Sequence, residues 1–342
     1  MFHPASFFKN NIKRIIPKST YKKLKHSKKL HELKQYYKWQ FSSFARFSAI
    51  PGGNEGLEQL TCQLQYHSHE IEKGLSHNNF RAGFGRRAIT ELTHSMRLWM
   101  QHNYPMEAFA MREALGVLKA YEDKHAKVGS ALPLFYNDLI AGFEQEIRNA
   151  DTDHCGASLF TRKPNDPHRT YKAVLEDRCS LRDYSEEPVN LDELIEAGQL
   201  AMRAPSVCNR QSVRLYISTN PDIIHKAMSI QAGMYGYKEP PAVMIITSTL
   251  TSFIDPTERN EPWVDGGLFS MALLGALEAQ GLAACPLNAM FEQRRENAIR
   301  QALPIPPDEV LIMFVAVGHK PEKTLHPMST RRDWHDIITI LK

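Results

Sequence analysis

Apolar residues return along this chain in more than one rhythm. Between residues 54 and 150 they recur every three or four positions: Leu57, Leu60 and Leu64, then Ile89, Leu92, Met96 and Trp99, then Ala108, Met111, Leu115, Leu118 and Tyr121. That spacing puts them on one face of successive helices. It predicts a helical region over 51–150. Residues 151–170 lose the rhythm and carry Pro, Gly, Asn and Asp, the composition of a linker. From 171 onward, short apolar runs alternate with helical spacing. Arg214–Ser218 reads as a strand, Ala242–Ser248 and Val310–Val317 as buried strands, and Ile337–Leu341 as a candidate last strand. Asn190 is placed to cap a helix starting at Leu191, with Asp192 and Glu193 in its first turn. Asp265 is placed to cap a long apolar helix that Gly281 closes. The pattern predicts an α+β domain over 171–342, preceded by a linker, the helical region and a segment 1–50 of a different character.

That segment is basic. The first forty residues hold eleven Lys or Arg and one acid, Glu32. Such a bias suits an anionic surface. Phe2, Phe7, Phe8, Ile12, Ile15 and Ile16 offer a short apolar face. The segment is therefore a candidate for peripheral contact with an anionic membrane, or else a solvated helix packed on the rest of the protein. The whole chain carries only +4 over 342 residues, which gives no argument for nucleic acid. No apolar run approaches the roughly 20 residues that span a bilayer. The start lacks a long apolar core and a small-residue cleavage site, so no signal peptide is expected. Five scattered cysteines form no CxxC and no zinc spacing. His67, His69 and His77 are not spaced as HExxH. No metal is expected, and the cysteine usage points to a reduced, cytoplasmic setting.

Four clusters in the C-terminal half could carry chemistry. Arg178, Cys179, Ser180 and Arg182 combine guanidinium groups, which grip phosphate through paired charge-assisted hydrogen bonds, with a hydroxyl that can donate to a carbonyl. Pro205, Ser206, Asn209 and Gln211 form a polar loop after a helix. Pro286, Leu287 and Asn288 follow Gly281 in a second loop whose backbone N–H groups can face a ligand. Arg331 and Arg332 add cations near the end.

Taken in order, R-x-S-x-R, P-S-x-x-N-x-Q, D-G-G before an apolar helix, G-L-x-x-C-P and a late arginine resemble the FMN-binding nitroreductase family over about half of the chain. The resemblance implies a mixed, mostly antiparallel sheet flanked by helices, built as an intertwined homodimer with FMN at the interface. Arg178 and Arg182 would lie at the phosphate and ribityl chain, and Ser180 at the pyrimidine ring. Pro205, Ser206, Asn209 and Gln211 would reach the flavin of the other subunit. Pro286, Leu287 and Asn288 would lie beside the isoalloxazine, and Arg331 or Arg332 at the phosphate. The implied activity moves hydride from NADH or NADPH through flavin N5 to a small conjugated acceptor such as a nitro compound or quinone. The alternative is a redox-inactive flavin-fold scaffold.

The chain departs from the family at Val207, where a second serine is common, at Ser212-Val213, where Pro-Trp is common, and at Cys179. Gln231, Gly233, Tyr235 and Lys238 are the nearby candidates for a further flavin contact. These departures bear on the substrate pocket more than on FMN. In the helical region, His69-x-x-Glu72-Lys73-Gly74-Leu75 followed by Gly83-Phe84-Gly85 resembles nitroreductase-like proteins associated with bacterial polysaccharide-synthesis loci. There His69, Glu72 and Lys73 form either a polar cluster against the flavin domain or a lid over its site.

Overall fold

The computed structural model describes residues 17–341 apart from 51, 54 and 167. The apolar face expected over Phe2 to Ile16 lies outside the described residues. The rest of the basic segment is one helix, α1 (Lys18–Phe47), in which no residue is buried. Lys29 anchors it to the C-terminal half, pairing with Asp255 at 3.1 Å and donating to the Ile254 carbonyl at 3.1 Å. Arg259 completes the contact. It donates to Gln40 Oε1 at 2.8 Å and lies 4.7 Å over the Tyr36 ring.

The periodic region folds into α2 (Leu57–Leu75), α3 (Arg86–Gln101), α4 (Phe109–Lys127), α5 (Leu134–Ile140) and α6 (Glu144–Arg148). Leu60, Leu64, Ile89, Leu92, Met96, Trp99, Met111, Leu118 and Tyr121 meet in one core, as the spacing predicts. Leu57, assigned to the same face, is exposed because it is the first residue of its helix. The G-F-G motif acquires a steric meaning. Gly83 and Gly85 adopt φ of +76° and +83°, which side chains resist. The turn they make lays the Phe84 ring on Gly74, where an added Cβ would fall 1.8 Å from Phe84 Cε2.

Glu113 sits uneasily in this bundle. Its Oε2 is buried and has no hydrogen-bond partner among the described residues. Burial first, then the nearby Glu72, push its carboxyl up to about 7, with Arg332 opposing. The folded chain thus favours the protonated form more than the unfolded chain does. The stability this confers is intact below the ordinary value of 4.5 and is lost as pH rises through about 7. Glu113→Gln should therefore raise stability at pH 8 by on the order of 1–3 kcal/mol and change it little near pH 4. Denaturant unfolding at the two pH values checks this. An equal effect at both would contradict it.

The C-terminal half contains α7 (Tyr171–Asp177), α8 (Leu191–Ala201), β2 (Val213–Ser218), α9 (Pro221–Gln231), β3 (Ala242–Thr249), α10 (Glu261–Ala279), β4 (Leu282–Asn288), α11 (Gln293–Ala302) and β5 (Glu309–His319). The four strands form an antiparallel sheet in the order β2-β3-β5-β4. Every residue of β3 is buried, because helices cover both faces. Alternation along the strand assigns the sides. Ala242, Met244 and Ile246 pack with Leu194 of α8 and Leu273 and Leu277 of α10. Val243 and Ile245 pack with Ile224 and Met228 of α9 and Ile299 of α11.

Three expectations need correction. The segment 151–170 is not only a linker: it carries β1 (Ala157–Thr161), which pairs antiparallel with β6 (Lys323–Pro327). Five residues with an exposed face give too weak an alternation to read. Ile337–Leu341 is not a strand. It follows a short turn at Trp334–Asp336, and its isoleucines are exposed. Asp265 does not cap its helix, which begins earlier, at Glu261. It is buried inside α10, where its carboxylate accepts from the Val207 N–H at 3.0 Å and the Ser212 hydroxyl at 3.2 Å. The cap at Asn190 forms as expected, and the Glu193 side chain completes it as a capping box.

Candidate functional site

The R-x-S-x-R segment is positioned by a short helix and an ion network. Thr170 caps α7, its hydroxyl accepting from the Ala173 N–H at 3.2 Å. At the other end, Asp177 receives Lys163 at 2.7 Å and Arg169 at 3.4 Å. The Lys163 hydrogen bond holds the Asp177 carboxyl below the usual range. Arg169 also reaches the buried Glu278 of α10 at 3.0 Å, as does Lys320 at 2.6 Å. The chain then runs extended beside the edge strand β4, with Ser180 bridging Ala284 in parallel and the Leu181 N–H donating to the Ala284 carbonyl at 3.3 Å. Alternation turns Leu181 into the core and sets Arg178, Ser180 and Arg182 to the other side.

Those three residues, with Cys179, line a cavity of about 670 Å³. Pro286 joins them from β4, and Ser329, Thr330 and Arg331 from the chain after β6. The volume lies in the range of small-molecule sites. Its charge is one-sided: three guanidinium groups against one lining carboxylate, Glu176. Arg182 Nε and Nη1 are buried and have no hydrogen-bond partner among the described residues. Each such buried donor costs about 1–3 kcal/mol. The site is thus built around an acceptor that the described residues do not supply.

The helical region reaches this cavity. His69 of α2 lines it. One turn on, Lys73 lies close to Arg182. Burial first, then that guanidinium, lower the Lys73 pKa from its ordinary value. The helix is held there by Tyr237, whose hydroxyl donates to the Lys73 carbonyl at 3.0 Å and whose ring stacks on His77 at 3.8 Å. Burial pushes the Cys285 and Cys179 thiols up, so neither is a ready nucleophile.

The other residues singled out in the sequence fall elsewhere. Arg331 lines the cavity, whereas Arg332 turns to α2 and donates to Gln65 Oε1 at 2.6 Å. Pro286, Leu287 and Asn288 lie in β4 and not in a loop. Pro286 is tolerated because β4 is an edge strand. Leu287 points into the core, and Asn288 is used locally, its carbonyl accepting from Gln231 and its Oδ1 from the Met290 N–H. Pro205, Ser206 and Gln211 line a separate cavity of about 170 Å³ with Asp265 and Phe269. Their loop is tightly wound, with φ of +47°, +54° and +51° at Cys208, Asn209 and Gln211. Within one chain the two cavities share no lining residue. Sequence reasoning missed His326 as a wall of the larger cavity; the five-residue strand that carries it is too short to give a signal.

Residues 175–244 and 229–319 match the model described as Nitroreductase family. Residues 175–319 form a nitroreductase-family domain. The match to this nitroreductase domain begins inside α7 and ends with β5, so the helical region and the Ser329–Arg331 wall lie beyond it. Among solved structures, a protein of Parabacteroides distasonis ATCC 8503, named provisionally as an NADH dehydrogenase/NAD(P)H nitroreductase, is similar at 19% identity. It covers 49% of this chain and 96% of its own, with a TM-score of 0.43. NfrA2 of B. megaterium is 20% identical, covering 44% of this chain and 65% of its own, at a TM-score of 0.40. An FMN and NADPH-dependent nitroreductase, a point mutant of NfnB derived from "sphigopyxis sp. strain HMH", is 17% identical, covering 50% of this chain and 99% of its own, at a TM-score of 0.41.

Proposed function

We propose that the nitroreductase domain binds FMN in the arginine-lined cavity and acts as a homodimeric oxidoreductase, taking hydride from NADH or NADPH and passing it to a small conjugated acceptor. The observation that carries this reading is Arg182, whose buried Nε and Nη1 have no partner among the described residues. A phosphorylated, carbonyl-bearing heterocycle fits the donor set: guanidinium groups for a phosphate, and a hydroxyl and further N–H groups for ring carbonyls. When bound, FMN would supply the two-electron chemistry that the side chains lack. Arg178, Arg182 and Arg331 would hold the phosphate and ribityl chain, and Ser180 would meet the polar edge of the ring. Pro286 shapes the wall beside them. No side-chain nucleophile is needed.

The dimer rests on α10. A helix apolar on all sides belongs in an interior, yet Val264, Leu268 and Met271 are exposed in a single chain. A second copy covers them, and brings its own Pro205, Ser206, Asn209 and Gln211 to the flavin. Pro205, Ser206 and Gln211 line a separate cavity in their own chain.

An anaerobic absorbance titration tests the redox reading. NADH or NADPH should bleach the flavin bands stoichiometrically. A protein that binds FMN but is bleached by neither nicotinamide, and whose chemically reduced flavin no tested acceptor reoxidises, would be a scaffold and not an enzyme.

The reading extends to location: a cytoplasmic protein touching an anionic membrane through α1. Leu30, Tyr37, Phe41 and Phe44 fall on one side of that helix and are exposed, with lysines beside them. Deleting residues 1–50 should leave FMN bound and abolish co-sedimentation with phosphatidylserine vesicles. Unchanged vesicle binding would discard the membrane contact. No helix among the described residues is long and apolar enough to cross a membrane. A link to polysaccharide synthesis is proposed on the His69–Leu75 motif.

A further inference from the structure

The motif that the nitroreductase domain does not explain is His69-x-x-Glu72-Lys73. Its residues lie on one side of α2, at positions three and four apart, and His69 lines the cavity. Glu72 is only 1% exposed. Its Oε1 accepts from the Gly156 N–H at 3.1 Å, beside the start of β1, and its Oε2 accepts from His69 Nδ1 at 3.3 Å. A buried carboxylate on Nδ1 fixes the ring's orientation and leaves Nε2 as its free edge. The His69 side chain is 41% exposed and lines the cavity. Ser329, the residue that leads to Arg331, approaches His69 Nδ1 at 3.5 Å. His69 therefore stands at the Arg331 end, and Lys73, near Arg182, at the other.

We propose that the helical region supplies an extra ligand to the cofactor's phosphate: His69, held in place by Glu72, beside Arg178 and Arg331. This rests on the FMN reading above. Nδ1 stays on Glu72, which leaves Nε2 as the edge that would meet a phosphate oxygen. Glu72 is the positioning residue. Cofactor binding then ties the helical region to the nitroreductase domain, because the phosphate is gripped from both.

Comparing FMN with riboflavin isolates the phosphate. Flavin-stripped full-length protein is titrated with each and followed by flavin fluorescence. Wild type should bind FMN more tightly than riboflavin. His69→Gln should weaken FMN binding tenfold or more while moving riboflavin less than twofold. Glu72→Gln should shift the same preference in the same direction. The side chain of His69 is solvent-facing, so its variant tests the idea even if Glu72→Gln folds poorly. Equal weakening of both flavins, or no change in either, would overturn the role of His69. Wild type that binds neither flavin would be a different failure, that of the cofactor reading itself.

Discussion

Arg182→Ala should cost the protein roughly a hundredfold in FMN affinity without destabilising the flavin-free chain. The two signs come from one observation. Arg182 holds two buried nitrogens whose N–H groups nothing among the described residues accepts. In the flavin-free protein these are a liability of about 1–3 kcal/mol each, so alanine removes a cost. With FMN bound they become charge-assisted hydrogen bonds of about 1.5–3 kcal/mol, so alanine removes a gain. A guanidinium that served the fold alone would show the opposite pattern, a loss of stability with no change in flavin binding. Thermal unfolding with and without FMN, together with a fluorescence titration, reads both. A flavin-free variant that melts well below wild type would count against the assignment.

Gly74→Ala should destabilise the helical region by about 2–3 kcal/mol. Alanine is normally the better helix residue, by up to about 1 kcal/mol. Here the added Cβ would meet the Phe84 ring at 1.8 Å. Phe84 cannot swing away freely. Its ring is flanked by Phe80 at 5.8 Å and Tyr121 at 5.2 Å, and its carbonyl accepts from the Tyr121 hydroxyl at 2.9 Å. Overpacking of this kind usually costs about 1–3 kcal/mol, and at this distance it outweighs the helix preference. Denaturant unfolding of Gly74→Ala, Phe84→Leu and the double variant makes a cycle. The double variant should recover part of the loss. A Gly74→Ala protein as stable as wild type would show that the ring moves aside at no cost.

The parts of the fold legible in the sequence are those with long or doubly covered apolar patterns. Ala242–Ser248 reads as a buried strand because both of its faces are apolar, and α8 begins where its Asn190 cap places it. The pair β1 and β6 was illegible because each strand is five residues long and is completed by a partner more than 150 residues away. Asp265 misled for a specific reason. An acid before two glycines resembles a helix cap, but the structure spends it inside the helix to tether the Val207–Ser212 turn. In the site, R-x-S-x-R was legible because alternation along an extended segment turns its three polar residues to one side. Arg331 and Arg332 could not be told apart by spacing. What separates them is tertiary: Gln65 of α2 captures Arg332 and leaves Arg331 at the cavity. The position of α2 over the cavity was also beyond the sequence, since the Tyr237 contact that fixes it joins residues far apart in the chain.

The most direct test of the whole account is the visible spectrum of the purified protein after incubation with FMN and removal of the unbound flavin. A flavin absorbance at equimolar ratio to the chain, lost in Arg178→Ala and Arg182→Ala, is the expected result. A colourless wild-type protein that retains its fold and takes up no FMN would contradict it.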